Sequence, residues 1–319
     1  MKDRPAVIVA GPTASGKSAL ALALAQRLDG TIINADSMQV YRELRVLTAR
    51  PTVGEEALVP HALYGVRGAA EPGSVAWWTK AAEQAMVDAR AAGRRPILCG
   101  GTGLYFAALL GGLADIPDPG AAARGEARAL LAELGPGGLH DRLVAVDPTT
   151  AARIRPADSQ RIARAWEVWR GTGIGLADWQ ARQPAAVENR GHVAIRLDPP
   201  RPVLREAIAS RFAAMLAYGA LEEVRRLLAL GLDPVLPAMR AHGVPELSRH
   251  LRGQITLTEA AGRAILATGR YTRRQATWFR HHPLAPEART HTIYARFAGQ
   301  TQFLERNLGE IVDFVCRLG

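Results

Sequence analysis

Two rhythms of apolar residues alternate through the first hundred positions of this chain. Short, continuous apolar runs read as strands, and longer stretches with apolar residues every three or four positions read as helices. Residues 6–10 form the first such run, and a helix follows over 18–28, closed by Asp29-Gly30. A second strand is expected over 31–34, a third over 61–66, a helix over 75–92 ending at Gly93, and a strand over 96–99 before Gly100-Gly101. Strands that alternate with helices in this way predict an α/β fold, a doubly wound parallel sheet.

From Pro117 the pattern changes. Pro117-Asp118-Pro119-Gly120 reads as a boundary, and the segments after it are mostly helical, broken at Gly135-Pro136-Gly137-Gly138 and at Asp147-Pro148. One helix is expected over 159–170, with Asp158 as its N-cap and Gly171 just past its end. Strand-like alternation returns over 192–197. The division expected is a P-loop core made of residues 1–119 and 191–319, with 120–190 as a helical insertion. The C-terminal region reads as helices over 203–230 and 257–279, then an amphipathic helix carrying Phe303, Leu304, Leu308, Ile311, Val312 and Val315. No internal repeat or low-complexity tract interrupts this order.

Composition narrows the functional classes. With 319 residues, 48% hydrophobic and 22% charged, the chain has the makeup of a globular protein. No apolar run approaches the ~20 residues that a membrane span needs, and no signal-peptide pattern opens the chain, so a cytoplasmic location is expected. Two cysteines, Cys99 and Cys316, cannot form a disulfide framework, and the eight histidines show no metal-ligand spacing. The net charge of +10 comes chiefly from arginine, whose planar fork suits phosphate groups.

The strongest chemical signal is Gly11-Pro12-Thr13-Ala14-Ser15-Gly16-Lys17-Ser18. This P-loop pattern sits between a strand and a helix, where backbone N–H groups and a helix N-terminus can cradle phosphates. Lys17 adds a full positive charge, and Ser18 can contact a Mg2+ ion held with the phosphate oxygens. The loop points to polyphosphate binding without saying which polyphosphate. A kinase of this class would end a later strand in an acid. The strand over 96–99 runs instead into Gly100-Gly101-Thr102-Gly103-Leu104-Tyr105, while the second strand leads to Asp36. Asp36 is open to three readings at this point: general base, metal ligand or helix cap.

Taken together these segments resemble the tRNA dimethylallyltransferase (isopentenyltransferase) family. The P-loop carries the resemblance with Asp36-Ser37-Met38-Gln39-Val40-Tyr41-Arg42, Thr48-Ala49-Arg50-Pro51-Thr52, Gly100 to Tyr105, and Asp158-Ser159-Gln160-Arg161-Ile162-Ala163-Arg164-Ala165. Arg211-Phe212 with Met215, Pro237-Ala238-Met239-Arg240 and Arg273-Arg274-Gln275-Ala276-Thr277-Trp278-Phe279-Arg280 complete it. Glu43, Arg50, Arg273, His242 and Val244 depart from the commonest family pattern.

The resemblance implies transfer of a dimethylallyl group from dimethylallyl diphosphate to N6 of adenosine 37 in a tRNA anticodon loop. Asp36 would be the general base, Thr102 would orient the amine, and Arg211 would hold the diphosphate together with residues 11–18. Ser37, Met38 and Gln39 would recognise a flipped adenine. Arg124, Gln160, Arg161, Ile162, Ala163, Arg164, Arg240, Arg273 and Arg274 would contact tRNA, with the insertion against the anticodon stem. Arginines 263, 270, 273, 274 and 280 lie along one acid-free segment, the footprint expected of a phosphate backbone partner. A monomer is the default expectation. The alternatives are an enzyme that prenylates free adenine nucleotides, a P-loop kinase, and a non-catalytic RNA-binding protein.

Overall fold

The computed structural model describes residues 4–112, 114–182, 191–297 and 301–318, with the side chains of 301–307 left aside. Phe303 and Leu304 therefore lie outside the described side chains. Leu308, Ile311 and Val315 pack into a core layer, as the amphipathic pattern requires.

Six parallel strands make one sheet: β1 Val7–Ala10, β2 Gly30–Asn34, β3 His61–Ala62, β4 Arg95–Gly100, β5 Val193–Leu197 and β6 Thr290–Ile293. Their order is β3-β2-β4-β1-β5-β6, so β4 inserts between β2 and β1. β1 pairs Val7 with Ile97 and Val193, burying it on both sides, which explains its uninterrupted apolar sequence. One face of the sheet is covered by the Lys17–Leu28 and Thr301–Arg317 helices through Leu20, Leu24, Ile97, Ile311 and Val315. The other face packs Ile8, Ile33 and Leu98 with Trp78, Phe106 and Phe279. Helices on both faces of a parallel sheet make this the doubly wound α/β fold.

Several elements differ from the expectation. The third strand is only two residues long. The helix expected over 203–230 is two helices, Arg201–Ala217 and Ala220–Ala229, because Gly219 at φ 96° turns the chain between them. β6 was missed: its four residues are half-buried at the sheet edge and show no alternation strong enough to mark them.

The chain divides into two compact units, Met1–Leu110 with Glu188–Gly319, and Gly111–Val187. In the second unit the Gly120–Val146 helix kinks at Gly135 and packs with the Ser159–Thr172 helix around Leu139, Leu143, Ile162 and Trp166. Asp158 caps the latter helix, accepting from the Arg161 N–H. Gly171 lies within this helix rather than past it, against Pro119, and the left-handed end is Gly173.

One buried cluster joins the core to the carboxyl edge of the sheet. Asn34, the last residue of β2, accepts from the Asp36 N–H at 2.8 Å and donates to the Asp36 and Leu63 carbonyls at 3.0 Å each. Trp78 donates to the Asn34 carbonyl at 2.8 Å and stacks on Tyr105 at 4.2 Å. Trp78→Ala removes a fully buried ring and that hydrogen bond; a loss of about 3–5 kcal/mol is expected in urea denaturation.

Candidate active site

Three loops leave neighbouring strands side by side at the carboxyl edge: residues 11–16 after β1, 35–39 after β2 and 101–102 after β4. Parallel sheets place their ligands at this edge. The P-loop is curled by positive φ at Ala14 (68°) and Gly16 (90°). Gly16 is required twice over, since a Cβ there would lie 1.9 Å from the Phe297 carbonyl oxygen. The first turn of the Lys17–Leu28 helix leaves backbone N–H groups without intrahelical partners, facing the space inside the loop. Ser15 Oγ is buried there with no hydrogen-bond partner.

Residues far along the chain brace this loop. The Thr13 N–H donates to Gln275 Oε1 at 2.9 Å, and Gln275 Nε2 donates to the Gly101 carbonyl at 2.8 Å. Arg296 donates from Nε to the Ala14 carbonyl, and the Phe297 N–H to the Ser15 carbonyl, each at 3.0 Å. Of the P-loop amides expected to meet phosphate, that of Thr13 is thus already used.

The segment after β2 is held as tightly. Asp36 accepts from the Met38 N–H at 3.0 Å through one carboxylate oxygen. Thr102 Oγ1 accepts from the Ser37 N–H at 2.9 Å and donates to Ser37 Oγ at 3.3 Å. Thr102 therefore positions the residue next to Asp36. Gln39 is buried and donates both amide hydrogens to the Thr48 and Ala49 carbonyls, so the adenine recognition expected of its amide would fall to Oε1. Downstream, buried Glu223 accepts from the Arg45, Val46 and Leu47 N–H groups and fixes the far end of the loop.

A cavity of about 70 Å³ opens between these loops and the Arg201–Ala217 helix. Asp36, Met38, Thr13 and Arg211 line it, with Leu47, Ile208, Phe212 and Met215 as an apolar wall. Ile208, Arg211, Phe212 and Met215 share one face of that helix, which explains how a charge comes to sit among apolar groups. Burial lowers the Arg211 pKa, and Asp36 opposes that shift. Lys17 is treated the same way: burial lowers its pKa, and Asp36 raises it. One carboxylate thus faces two cations, in surroundings where charges act strongly. Cys99, under the loop, is a buried thiol that burial pushes up to about 11.

His242 and Tyr271 line the same cavity, their rings 5.0 Å apart. Burial pushes Tyr271 up to about 12 and lowers His242 below 6.5. The Tyr271 hydroxyl lies beside Thr102 and Gln275.

Among the other expected residues, Arg240, Arg273 and Arg274 are exposed, Arg274 near the Tyr271 ring. Arg263 and Arg270 are exposed on the same Leu257–His281 helix, while Arg280 pairs with Asp198 at 3.1 Å. In the 111–187 unit, Gln160, Arg161 and Arg164 are exposed on one helix face. Arg161 and Arg164 pair with Asp158 and Glu167, and Arg124 pairs with Asp118 at 2.6 Å. Ile162 is fully buried in that unit's core, so its side chain is not presented to a partner as expected, while Ala163 is half-buried against the same core.

A family model described as IPP transferase matches residues 39–282, and one described as isopentenyl transferase matches residues 5–60. The tRNA dimethylallyltransferase of Gluconacetobacter diazotrophicus is 62% identical over 98% of this chain and 95% of its own length. That of Granulibacter bethesdensis is 60% identical over 99% of both. The chain belongs to the IPP transferase family. It is a prenyltransferase. The solved tRNA isopentenylpyrophosphate transferase of Bacillus halodurans matches 99% of this chain and 98% of its own, with 31% identity and a TM-score of 0.68. A eukaryotic dimethylallyltransferase acting on tRNA has a TM-score of 0.82 over 99% of this chain and 80% of its own; at 24% identity it speaks for the fold alone. No helix among the described residues is long and apolar enough to cross a membrane.

Sequence reasoning overlooked Asn34, Glu223, Arg296, Phe297 and the bridging role of Gln275. The signal for Gln275 was present: Thr268, Thr272 and Gln275 put polar groups on the buried face of an amphipathic helix.

Gln275→Leu leaves the Thr13 N–H and Gly101 carbonyl unpaired. A loss of about 2–4 kcal/mol in stability, with weakened diphosphate binding in isothermal titration calorimetry, is expected. His242 gives a pH test. Neutral in the fold and with its pKa below 6.5, it takes up a proton more readily when unfolded. Its contribution is intact above pH 6.5 and is lost as pH falls toward its lowered folded value. Urea midpoints measured between about pH 5 and pH 8 are therefore expected to fall more steeply on the acid side for the native chain than for His242→Gln.

Proposed function

We propose that this chain transfers a dimethylallyl group from dimethylallyl diphosphate to N6 of adenosine 37 in the tRNA anticodon loop, releasing diphosphate. The observation that carries the reading is the cavity in which Asp36 faces Arg211 beside the P-loop, walled by Leu47, Ile208, Phe212 and Met215. A phosphate cradle next to an apolar wall suits a molecule with a charged head and a hydrocarbon tail.

The diphosphate lies in the P-loop against the first-turn N–H groups, Lys17 and Ser15, with Arg211 on its other side. These groups are fixed before reaction, so they stabilise the charge that grows on the leaving oxygen without reorganising. The dimethylallyl tail packs on the Phe212 and Met215 wall. N6 of adenine is a weak nucleophile because its lone pair is delocalised into the ring. Asp36 accepts the N6 proton as the N–C bond forms and the C–O bond to diphosphate breaks. Thr102 and Asn34 hold Asp36 and Ser37 for that transfer. Met38 lines the cavity and offers an apolar contact to the extruded base.

Ser18, exposed at the helix start, together with diphosphate oxygens would hold Mg2+. When bound, Mg2+ supplies neutralisation of the leaving group's charge.

The exposed arginines of the Leu257–His281 helix and the Gln160, Arg161 and Arg164 face offer phosphate contacts to tRNA, with Arg124 and Arg240 as further candidates. Arginine fits this role better than lysine because of its bidentate geometry.

The test is transfer of label from dimethylallyl diphosphate, with Mg2+, into an unmodified anticodon stem-loop RNA beside AMP and ATP. Label is expected in the RNA, and Asp36→Asn is expected to lower the rate by about 10²-fold or more while diphosphate binding persists. Label entering only AMP or ATP would assign the free-nucleotide reaction instead.

A further inference from the structure

One wall of the catalytic cavity is a loop of turns, from which Leu47 and Thr48 face the space beside Asp36 and Arg211. Two buried side chains from outside the loop hold it. Gln39 donates to the Thr48 and Ala49 carbonyls at 2.8 and 2.9 Å. Glu223 takes the amides: its Oε1 accepts from the Arg45 and Val46 N–H groups, and its Oε2 accepts from the Leu47 N–H at 2.8 Å.

Glu223 shares the buried face of the Ala220–Ala229 helix with Ala220, Val224 and Leu227. A carboxylate on an apolar face is costly unless donors meet it, and these N–H groups do so with charge-assisted bonds. None of the described residues lining the cavity comes from that helix, so Glu223 reaches the cavity through the loop it holds. Leu47 in turn adjoins Phe212. A Cβ on Gly243 would lie 2.8 Å from Leu47 Cδ2 and 3.3 Å from the Phe212 ring, so both side chains close on one point of the apolar wall. In a cavity of about 70 Å³, moving one branched side chain changes which hydrocarbon groups fit.

We propose, on the prenyl-transfer reading, that Glu223 is a specificity-determining positioning residue: by holding the Leu47 amide it keeps the Leu47 side chain in the wall and limits the donor to a short allylic tail. Glutamine at this position has one acceptor oxygen and cannot serve both sets of amides. With its nitrogen in place of Oε2 it would face the Leu47 N–H, donor against donor. In the reverse orientation the Arg45 and Val46 amides are released.

The test is isothermal titration calorimetry on the full chain with Mg2+, using unreactive thio analogues of dimethylallyl and geranyl diphosphate and inorganic diphosphate as the reference. The native chain is expected to prefer the shorter tail by about tenfold or more. Glu223→Gln is expected to reduce that preference at least about threefold while the affinity for inorganic diphosphate stays within about twofold, because the P-loop is untouched. Leu47→Ala is expected to reduce it similarly, and the double variant to add less than about twofold, since the two residues act as one unit. In the transfer assay, Glu223→Gln is expected to raise the KM for dimethylallyl diphosphate with kcat held. Unchanged preference in Glu223→Gln, a parallel fall in diphosphate affinity, or effects that multiply in the double variant would overturn the assignment. If Glu223→Gln does not fold, Glu223→Asp decides, since it keeps the charge but withdraws it by one methylene: unchanged preference there overturns the proposal equally. A native chain that binds with this preference yet transfers no label to RNA counts against the prenyl-transfer reading alone, whereas a native chain without the preference counts against the role of Glu223.

Discussion

A loop leaving the end of a strand carries backbone N–H and C=O groups that no neighbouring strand pairs, and three such loops meet at the working edge of this sheet. Gln275 resolves part of that problem with one side chain, accepting from Thr13 and donating to Gly101. It locks the loop after β1 to the loop after β4, and Asn34 ties the turn after β2 in the same manner. A primary amide suits this work because it carries donor and acceptor in one plane and stays neutral in the interior. These two amides, with Arg296 and Phe297 on the P-loop, hold Asp36, Thr102 and the P-loop in place.

Once the loops are fixed, the charges they carry become the dominant feature. Burial lowers the pKa of both Lys17 and Arg211 and Asp36 opposes each shift, so one carboxylate partly balances two cations. In the proposed reaction this arrangement would give a diphosphate a net positive pocket, with the Asp36 carboxylate beside the amine whose proton it would accept. The apolar wall of Phe212 and Met215 strengthens those interactions by keeping the surroundings low in dielectric.

Polar atoms left without partners are informative in the same terms. Ser15 Oγ in the P-loop is buried and unpaired, inside the loop that the proposed diphosphate would fill.

The P-loop, the buried strands β1 and β4 and the acid after β2 were legible because their physics is local. Consecutive residues supply a strand, a turn with positive φ and a helix start, and no distant contact is needed to recognise them. Asp36 could be placed at the sheet edge for the same reason. The two-residue β3 and edge strand β6 escaped, since a short, half-buried strand is defined by its neighbour and not by its own pattern. The roles of Gln39 and Gln275 were decided by tertiary structure alone. Gln39 looked available for recognition, but the fold closes Thr48 and Ala49 onto it. Gln275 sits 262 residues from the Thr13 amide it accepts from, and a hydrogen bond across that separation exists only once both core layers have packed.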